Sequence, residues 1–322
     1  MKSHDNPLKK VKLPWEKPKS LKEDPHADEL VRRIMESPTY RIAEEDTEFL
    51  QSDDTRGVRL ELDYLKAELA MRQAGVECTI VVFGSARIRE KKTAIDALKK
   101  IQKKLEKDPE NDTLLRELRI AERKVEASAY YDDARRFGSL VGLAGKGPGD
   151  NRLLLMTGGG PGIMEAANRG AYDVGAKSIG LNIHLPHEQF PNPYISPELC
   201  FQFHYFGIRK LHFFQRANAL VAYPGGFGTM DELFEVMTLM QTRKTPIMPV
   251  VLVGRKYWER LINFDLFVDE GMIAPEDLEL FTIVESAEEA WEHIRQWHIE
   301  RKTKLHKLYR GEKKRKRKTA TK

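Results

Sequence analysis

Two acidic residues, Asp231 and Glu232, stand directly behind a glycine-rich turn, Pro224-Gly225-Gly226-Phe227-Gly228-Thr229. Glycines at the exit of a strand let backbone amides approach a ligand closely, and amides that open a helix make an anion site. Thr229 adds a hydroxyl able to cap that helix or to hold a phosphate oxygen. A carboxylate in the first helical turn would lie beside the sugar of a bound phosphate ester, within reach of its anomeric carbon. Complementation of the helix dipole accounts equally well for either acid taken singly.

A second turn, Thr157-Gly158-Gly159-Gly160-Pro161-Gly162, leads through Ile163 and Met164 into another helical pattern. It is not the dinucleotide fingerprint, because Ile163 stands where a glycine is required, and no Gly-Lys-Ser/Thr of a Walker A loop occurs. Its glycines serve either ligand approach, with Gly159 and Gly160 helping to hold a phosphate, or close packing alone. Upstream of the first turn lie Arg209, Lys210 and Arg216; Arg209 and Arg216 are seven residues apart and so share a helix face. They can help neutralise a phosphate or stand as solvated surface charges. Ser85 and Arg87 are either ligand contacts or an ordinary turn residue and surface charge.

The elements that must position these residues alternate. Short, largely apolar runs occur at Cys78–Phe83, where they are also β-branched, and at 152–156, Ser178–Ile183, 219–223, 247–253 and 280–284. Helical patterns at 162–174, 208–217, 229–241, 257–269 and 287–301 interleave with them. Such alternation predicts an α/β fold: a Rossmann-like doubly wound parallel sheet whose ligands bind beyond the C-terminal strand ends, where both glycine turns fall. Residues 199–203 form a further strand-like run, after which His204 and Tyr205 could line the pocket and stack on a base, although a satisfied core or surface histidine is the more ordinary reading. In the last helix Trp291, Ile294 and Trp297 are expected core anchors.

Dense charge over 90–136, with Pro109, Asn111 and Asp112 midway, predicts two helices joined by a turn, a helical-hairpin insertion. The N-terminal helices are expected at 28–36 and 47–73. The implied organisation is a flexible basic arm (1–26), N-terminal helices (27–75), the Rossmann-like domain (76–302) and a basic disordered tail (303–322). Residues 310–322 hold eight Lys or Arg against Glu312, so the net +5 of the 322-residue chain leaves the remainder near −2. That removes electrostatic support for nucleic-acid binding by the folded body and confines any such role to the tail.

No run approaches 18 apolar residues and no apolar leader follows the start, so neither a membrane span nor a signal peptide is expected and the cytoplasm is the default location. The two cysteines, Cys78 and Cys200, suggest buried thiols rather than a disulfide or metal framework. His184, His187 and Glu188 have metal-capable side chains, but Pro186 breaks a helix that would put both histidines on one face. No metal or cofactor is therefore expected, and no pyridoxal-binding lysine pattern is evident.

Over about residues 76–300 the chain resembles the Lonely Guy (LOG) family, often mislabelled "lysine decarboxylase". The resemblance rests on the signature Pro-Gly-Gly-x-Gly-Thr-x-x-Glu, met by Pro224, Gly225, Gly226, Gly228, Thr229 and Glu232, with Gly158, Gly159 and Gly160 leading to Met164. It implies a nucleoside 5'-monophosphate phosphoribohydrolase acting on AMP or cytokinin ribotides, at least homodimeric, without a cofactor. Arg209 and Lys210 match the family's Arg-Lys pair by spacing, with Arg209 as catalytic arginine and Glu232 as its partner carboxylate. The short plant-type Met-His-x-Arg-Lys is here Phe206-Gly207-Ile208-Arg209-Lys210. Together with the N-terminal helices and the hairpin, this resembles longer bacterial members. A non-catalytic nucleotide sensor of the same fold and a tail-mediated nucleic-acid binder are the alternative functions.

Overall fold

The computed structural model describes residues 18–185 and 190–305. The first 17 residues of the expected arm, the tail from residue 306, and His187 with Glu188 lie outside them. Two compact units divide the chain, one ending at Glu61 and one beginning at Leu62.

The first unit carries α1 (Ala27–Met35) and α2 (Thr47–Gln51) and enters α3 (Arg56–Gln73). The helix expected over 47–73 is thus two helices, broken at Ser52, which is extended at φ −63° and ψ 159°. The cause is local competition for the backbone: the Thr55 hydroxyl bonds the carbonyls of Phe49 and Leu50 at 3.0 and 2.9 Å, and Arg59 donates to Leu50 at 2.8 Å.

The second unit is built on seven parallel strands: β1 (Cys78–Phe83), β2 (Leu153–Thr157), β3 (Ser178–Ile183), β4 (Cys200–Phe203), β5 (Ala217–Ala222), β6 (Val250–Val253) and β7 (Phe281–Val284). Their order is β4-β3-β2-β1-β5-β6-β7. The continuous apolar runs follow from burial on both faces. Ile80 and Val82 enter one core with Leu155, Val221 and Val251, while Val81 and Phe83 enter the other with Met156, Leu220 and Leu252. The chain winds outward from β1 to β4 and restarts at β5 on the other side of β1. The crevice at the β1 and β5 C-termini is therefore the topological switch point, where ligands of such sheets bind.

After β1 come α4 (Lys91–Leu105), α5 (Asp112–Ala127) and α6 (Ala129–Gly142). The first two form the expected hairpin; a third helix follows, so the helical segment runs past 136 to Gly142. Asn111 caps α5, accepting from the Leu114 amide at 3.1 Å. Helix α6 packs on α7 (Ile163–Asp173) so closely that a methyl group at Gly170 would overlap the Arg135 carbonyl, and one at Gly138 the Ala167 carbonyl. Backbone cannot yield as a side chain does. Gly170→Ala is expected to destabilise the protein by roughly 3 kcal/mol, since overpacking of a rigid contact has that order of cost. Thermal melting checks it, and an unchanged midpoint would mean that the helices separate freely.

The sheet's second face is covered by α8 (Phe206–Gln215), α9 (Phe227–Gln241) and the later turns of α3, where Ala67 and Met71 are buried. The helix expected over 257–269 is split into α10 (Arg255–Leu261) and α11 (Phe264–Asp269). Ile262 is extended and the Asn263 side chain recaps the chain by accepting from the Leu266 amide. In α12 (Ala287–Glu300) the buried face is Ala287, Ala290, Trp291, Ile294 and His298, a helical stripe. Trp297 falls off that stripe, half-buried beneath Arg301, and is not a core anchor. Cys78 is buried, its thiol pushed up to about 11 by that burial, and Cys200 is half-buried; both are free. Among the described residues no helix is long and apolar enough to cross a membrane.

Candidate active site

Three loops meet at the switch point. The peptide of Ser85, just past β1, joins them: its amide donates to the Pro224 carbonyl at 3.0 Å and its carbonyl accepts from the Ile163 amide at 3.1 Å. Gly162 makes that approach possible, at φ 76°, where any Cβ would overlap the Ser85 carbonyl.

Above this junction lies a cavity of about 690 Å3 lined by Ser85, Arg87, Gly158, Met164, Arg209 and the residues from Gly225 to Glu232. Helix α9 opens into it without a side-chain cap, since its N-cap is Gly226. The amides of Thr229 and Met230 turn back to the Gly226 carbonyl at 3.0 and 3.1 Å. Those of Phe227 and Gly228 are first-turn donors with no acceptor among the described residues, which is what an anion requires. Gly225 must be glycine, because a Cβ there would overlap the Thr229 side chain. The Tyr257 hydroxyl donates to the Gly225 carbonyl and holds the turn from behind.

Asp231 and Glu232, adjacent in sequence, part company in space. Asp231 is exposed and takes Lys210 Nζ at 2.7 Å, whereas the Glu232 side chain is only 6% exposed and turns to Arg209, whose Nη2 lies 3.9 Å from Glu232 Oε1. Phe206, three residues before Arg209, and Phe213, four after it, flank the guanidinium at 4.8 and 5.7 Å from their ring centres. Arg209 Nε and Glu232 Oε2 are buried without a hydrogen-bond partner among the described residues. Two charged groups held at contact distance with bonding capacity to spare are suited to a polar reactant rather than to stability. Burial pushes the Glu232 carboxyl up to about 7, with Lys210 and Arg209 opposing that rise.

The structure thus brings together Arg209, Glu232, Met164, Gly225, Gly226, Gly228, Thr229, Ser85 and Arg87. It does not bring four other candidates there. Lys210 bridges Asp231 and Glu235, at 2.7 Å from each, and ties α8 to α9 outside the cavity. Gly159 is packed on Asn182, its amide donating to Thr157 and its carbonyl accepting from Asn192, while the Gly160 carbonyl accepts from the Asn192 side chain. Both are buried, and Gly158 is the glycine of that turn that faces the cavity. Arg216 stands at the N-terminal end of β5, the opposite edge of the sheet, forked onto Glu68 at 2.6 and 2.8 Å. Its backbone has already left the helix, so the seven-residue spacing from Arg209 does not align the two.

His204 and Tyr205 do not line the cavity either; their amides donate to Asp63. His184 stacks on His204, and the described residues hold no group of three or more potential metal ligands. Phe83, Gly84, Ala86, Phe206, Phe213, Tyr257 and Leu261 complete the lining. The spacing of the two phenylalanines about Arg209 was a legible signal for that pair.

A family model described as "Possible lysine decarboxylase" matches residues 164–294. The chain is 27% identical to the "Probable cytokinin riboside 5'-monophosphate phosphoribohydrolase LOGL3" of Oryza sativa subsp. japonica, over 45% of this chain and 68% of that protein. It is 29% identical to the cytokinin riboside 5'-monophosphate phosphoribohydrolase LOG3 of Arabidopsis thaliana, over 50% and 73% respectively. To LOG7 of the same plant, which carries the same enzyme name, identity is 38% over 27% of this chain and 40% of that protein.

Proposed function

Because the chain belongs to the LOG family, we propose that it hydrolyses the N-glycosidic bond of a nucleoside 5'-monophosphate, AMP or a cytokinin riboside 5'-monophosphate, in the cytoplasm. The observation that carries this reading is the buried Arg209–Glu232 pair at the uncapped start of α9. The 5'-phosphate would sit on the amides of the 225–229 turn and the Thr229 hydroxyl, placing the ribose over Glu232. There the carboxylate stabilises the oxocarbenium-like sugar and orients the attacking water, while Arg209 holds the ribose phosphate and Glu232 in register. Water adds at the anomeric carbon, the carbon–nitrogen bond breaks, and the base departs carrying a proton. The relatives named above bear the cytokinin name; the apolar rings of Phe206 and Phe213 beside the cavity are compatible with either base.

Exposed apolar side chains lining the cavity, Phe206 at 51% and Phe227 at 96%, support a contact between copies of the chain. Incubation with AMP and with cytokinin riboside 5'-monophosphates, followed by chromatography, should yield free base and ribose 5-phosphate in equal amounts, from protein that light scattering finds at twice the mass of one chain or more. Nucleotides bound but left intact across the panel would overturn the hydrolase.

A further inference from the structure

A second cavity, of about 590 Å3, shares Ser85, Gly225, Gly226, Tyr257 and Leu261 with the first but contains neither Arg209 nor Glu232. Its remaining wall comes mainly from α5 of the helical hairpin and from α10, with Ile88, Tyr130 of α6 and Pro224. Arg123 and Lys124 reach it from α5, Lys256 and Arg260 from α10, and Glu126 is its single carboxylate. These four cations form no ion pair among the described residues. Their neighbours behave otherwise: Arg135, Arg136 and Arg255 are each held by a carboxylate, at 2.5, 2.6 and 2.8 Å.

Solvated surface charge is the ordinary state of lysine and arginine. It does not explain why unpaired cations from two segments more than a hundred residues apart converge on one concavity. Like charges so gathered repel one another, and a concave wall of one sign concentrates the opposite ion. The position selects the anion further. The chamber opens along Gly225 and Gly226, the backbone assigned above to a 5'-phosphate, so a phosphate chain extended from that point runs into it.

We propose that this chamber receives the second and third phosphates of a nucleoside di- or triphosphate whose first phosphate rests on the 225–229 turn, so that such nucleotides compete with the monophosphate for the site. For the first phosphate this rests on the nucleotide reading given above. The hairpin would then be the device by which this chain senses longer phosphate chains.

Calorimetric titration of the full chain at low salt with AMP, ATP and inorganic tripolyphosphate tests it, in the native protein and in the double variant R123E/K256E, both positions being exposed. Two charge reversals on an anion site are worth about tenfold or more in affinity. ATP should therefore bind the native chain at least about tenfold more tightly than AMP, and tripolyphosphate should bind it. The double variant should lose both gains while its affinity for AMP moves less than about twofold. The neutral pair R123Q/K256Q should fall between, with melting curves showing that each variant is folded. ATP binding no tighter than AMP, or a double variant that retains the difference, would overturn the chamber. The two readings fail separately. Loss of the tripolyphosphate arm with AMP still cleaved removes the chamber alone, whereas absence of AMP cleavage with tripolyphosphate bound removes the hydrolase alone.

Discussion

Glu232→Gln is expected to reduce turnover of a nucleoside 5'-monophosphate by about 10²- to 10⁴-fold, the usual contribution of a positioned acid–base group, while leaving substrate affinity nearly intact. The same substitution should stabilise the fold above neutral pH. Burial holds the Glu232 carboxyl at about 7, above its ordinary 4.5, so between those values the folded chain binds the proton more firmly than the unfolded chain does. Stability from this group is therefore full below pH 4.5 and falls as pH rises through 7. The ionised carboxylate then costs on the order of 3 kcal/mol at pH 8, at about 1.4 kcal/mol for each pH unit of displacement. Glutamine keeps the shape without the charge. Melting midpoints should coincide at pH 4 and separate in favour of the variant, by several degrees, at pH 8. A variant that remained active, or one that melted below the native protein at pH 8, would remove Glu232 from the role assigned to it.

The second large effect concerns Arg209. If the ionised carboxylate is the working form, kcat/KM of the native chain should climb tenfold per pH unit below about 7 and level off above it. Arg209 opposes the effect of burial on Glu232, so Arg209→Ala should move that midpoint upward and also depress the plateau by roughly 10²- to 10³-fold, the scale seen when one transition-state donor is removed. Lys210→Ala provides the contrast. Lys210 also holds the Glu232 carboxyl down, yet it bridges Asp231 and Glu235 outside the cavity. Its loss should shift the midpoint upward while sparing most of the plateau. Equal plateaus in the two variants would mean that Arg209 acts only through the titration of Glu232.

The sheet was largely legible in advance because strands buried on both faces read as short, largely apolar runs between helical patterns; Cys78–Phe83 and Ser178–Ile183 were expected at their observed bounds. Helix interruptions were less so. At Ser52 and at Ile262 the apolar period continues across the break, and the side chains that end and restart the helices, Thr55 and Asn263, act over only a few residues. For the site, glycine spacing located the loops but not which glycine faces the ligand. Gly158 rather than Gly159 does so, because Asn182 and Asn192, remote in sequence, occupy the other side of that turn. Arg216 was misleading for a related reason: helical spacing aligns two residues only while the helix lasts. The separation of Asp231 from Glu232 follows directly from helix geometry, since adjacent positions diverge by about 100°, but which of the two turns inward depends on where α8 lies.

The Ser85 peptide ties the exits of β1, β2 and β5 into one hydrogen-bonded lattice. Loops joined in this way have little conformational freedom left to lose when a ligand arrives. Less of the gross attraction for an incoming phosphate is then consumed in ordering the receptor, and more survives as affinity and as orientation of the sugar. It also couples the three loops mechanically, so that a substitution displacing the Ser85 carbonyl should disturb the start of α7 and the 224–229 turn together, although the two are more than sixty residues apart along the chain.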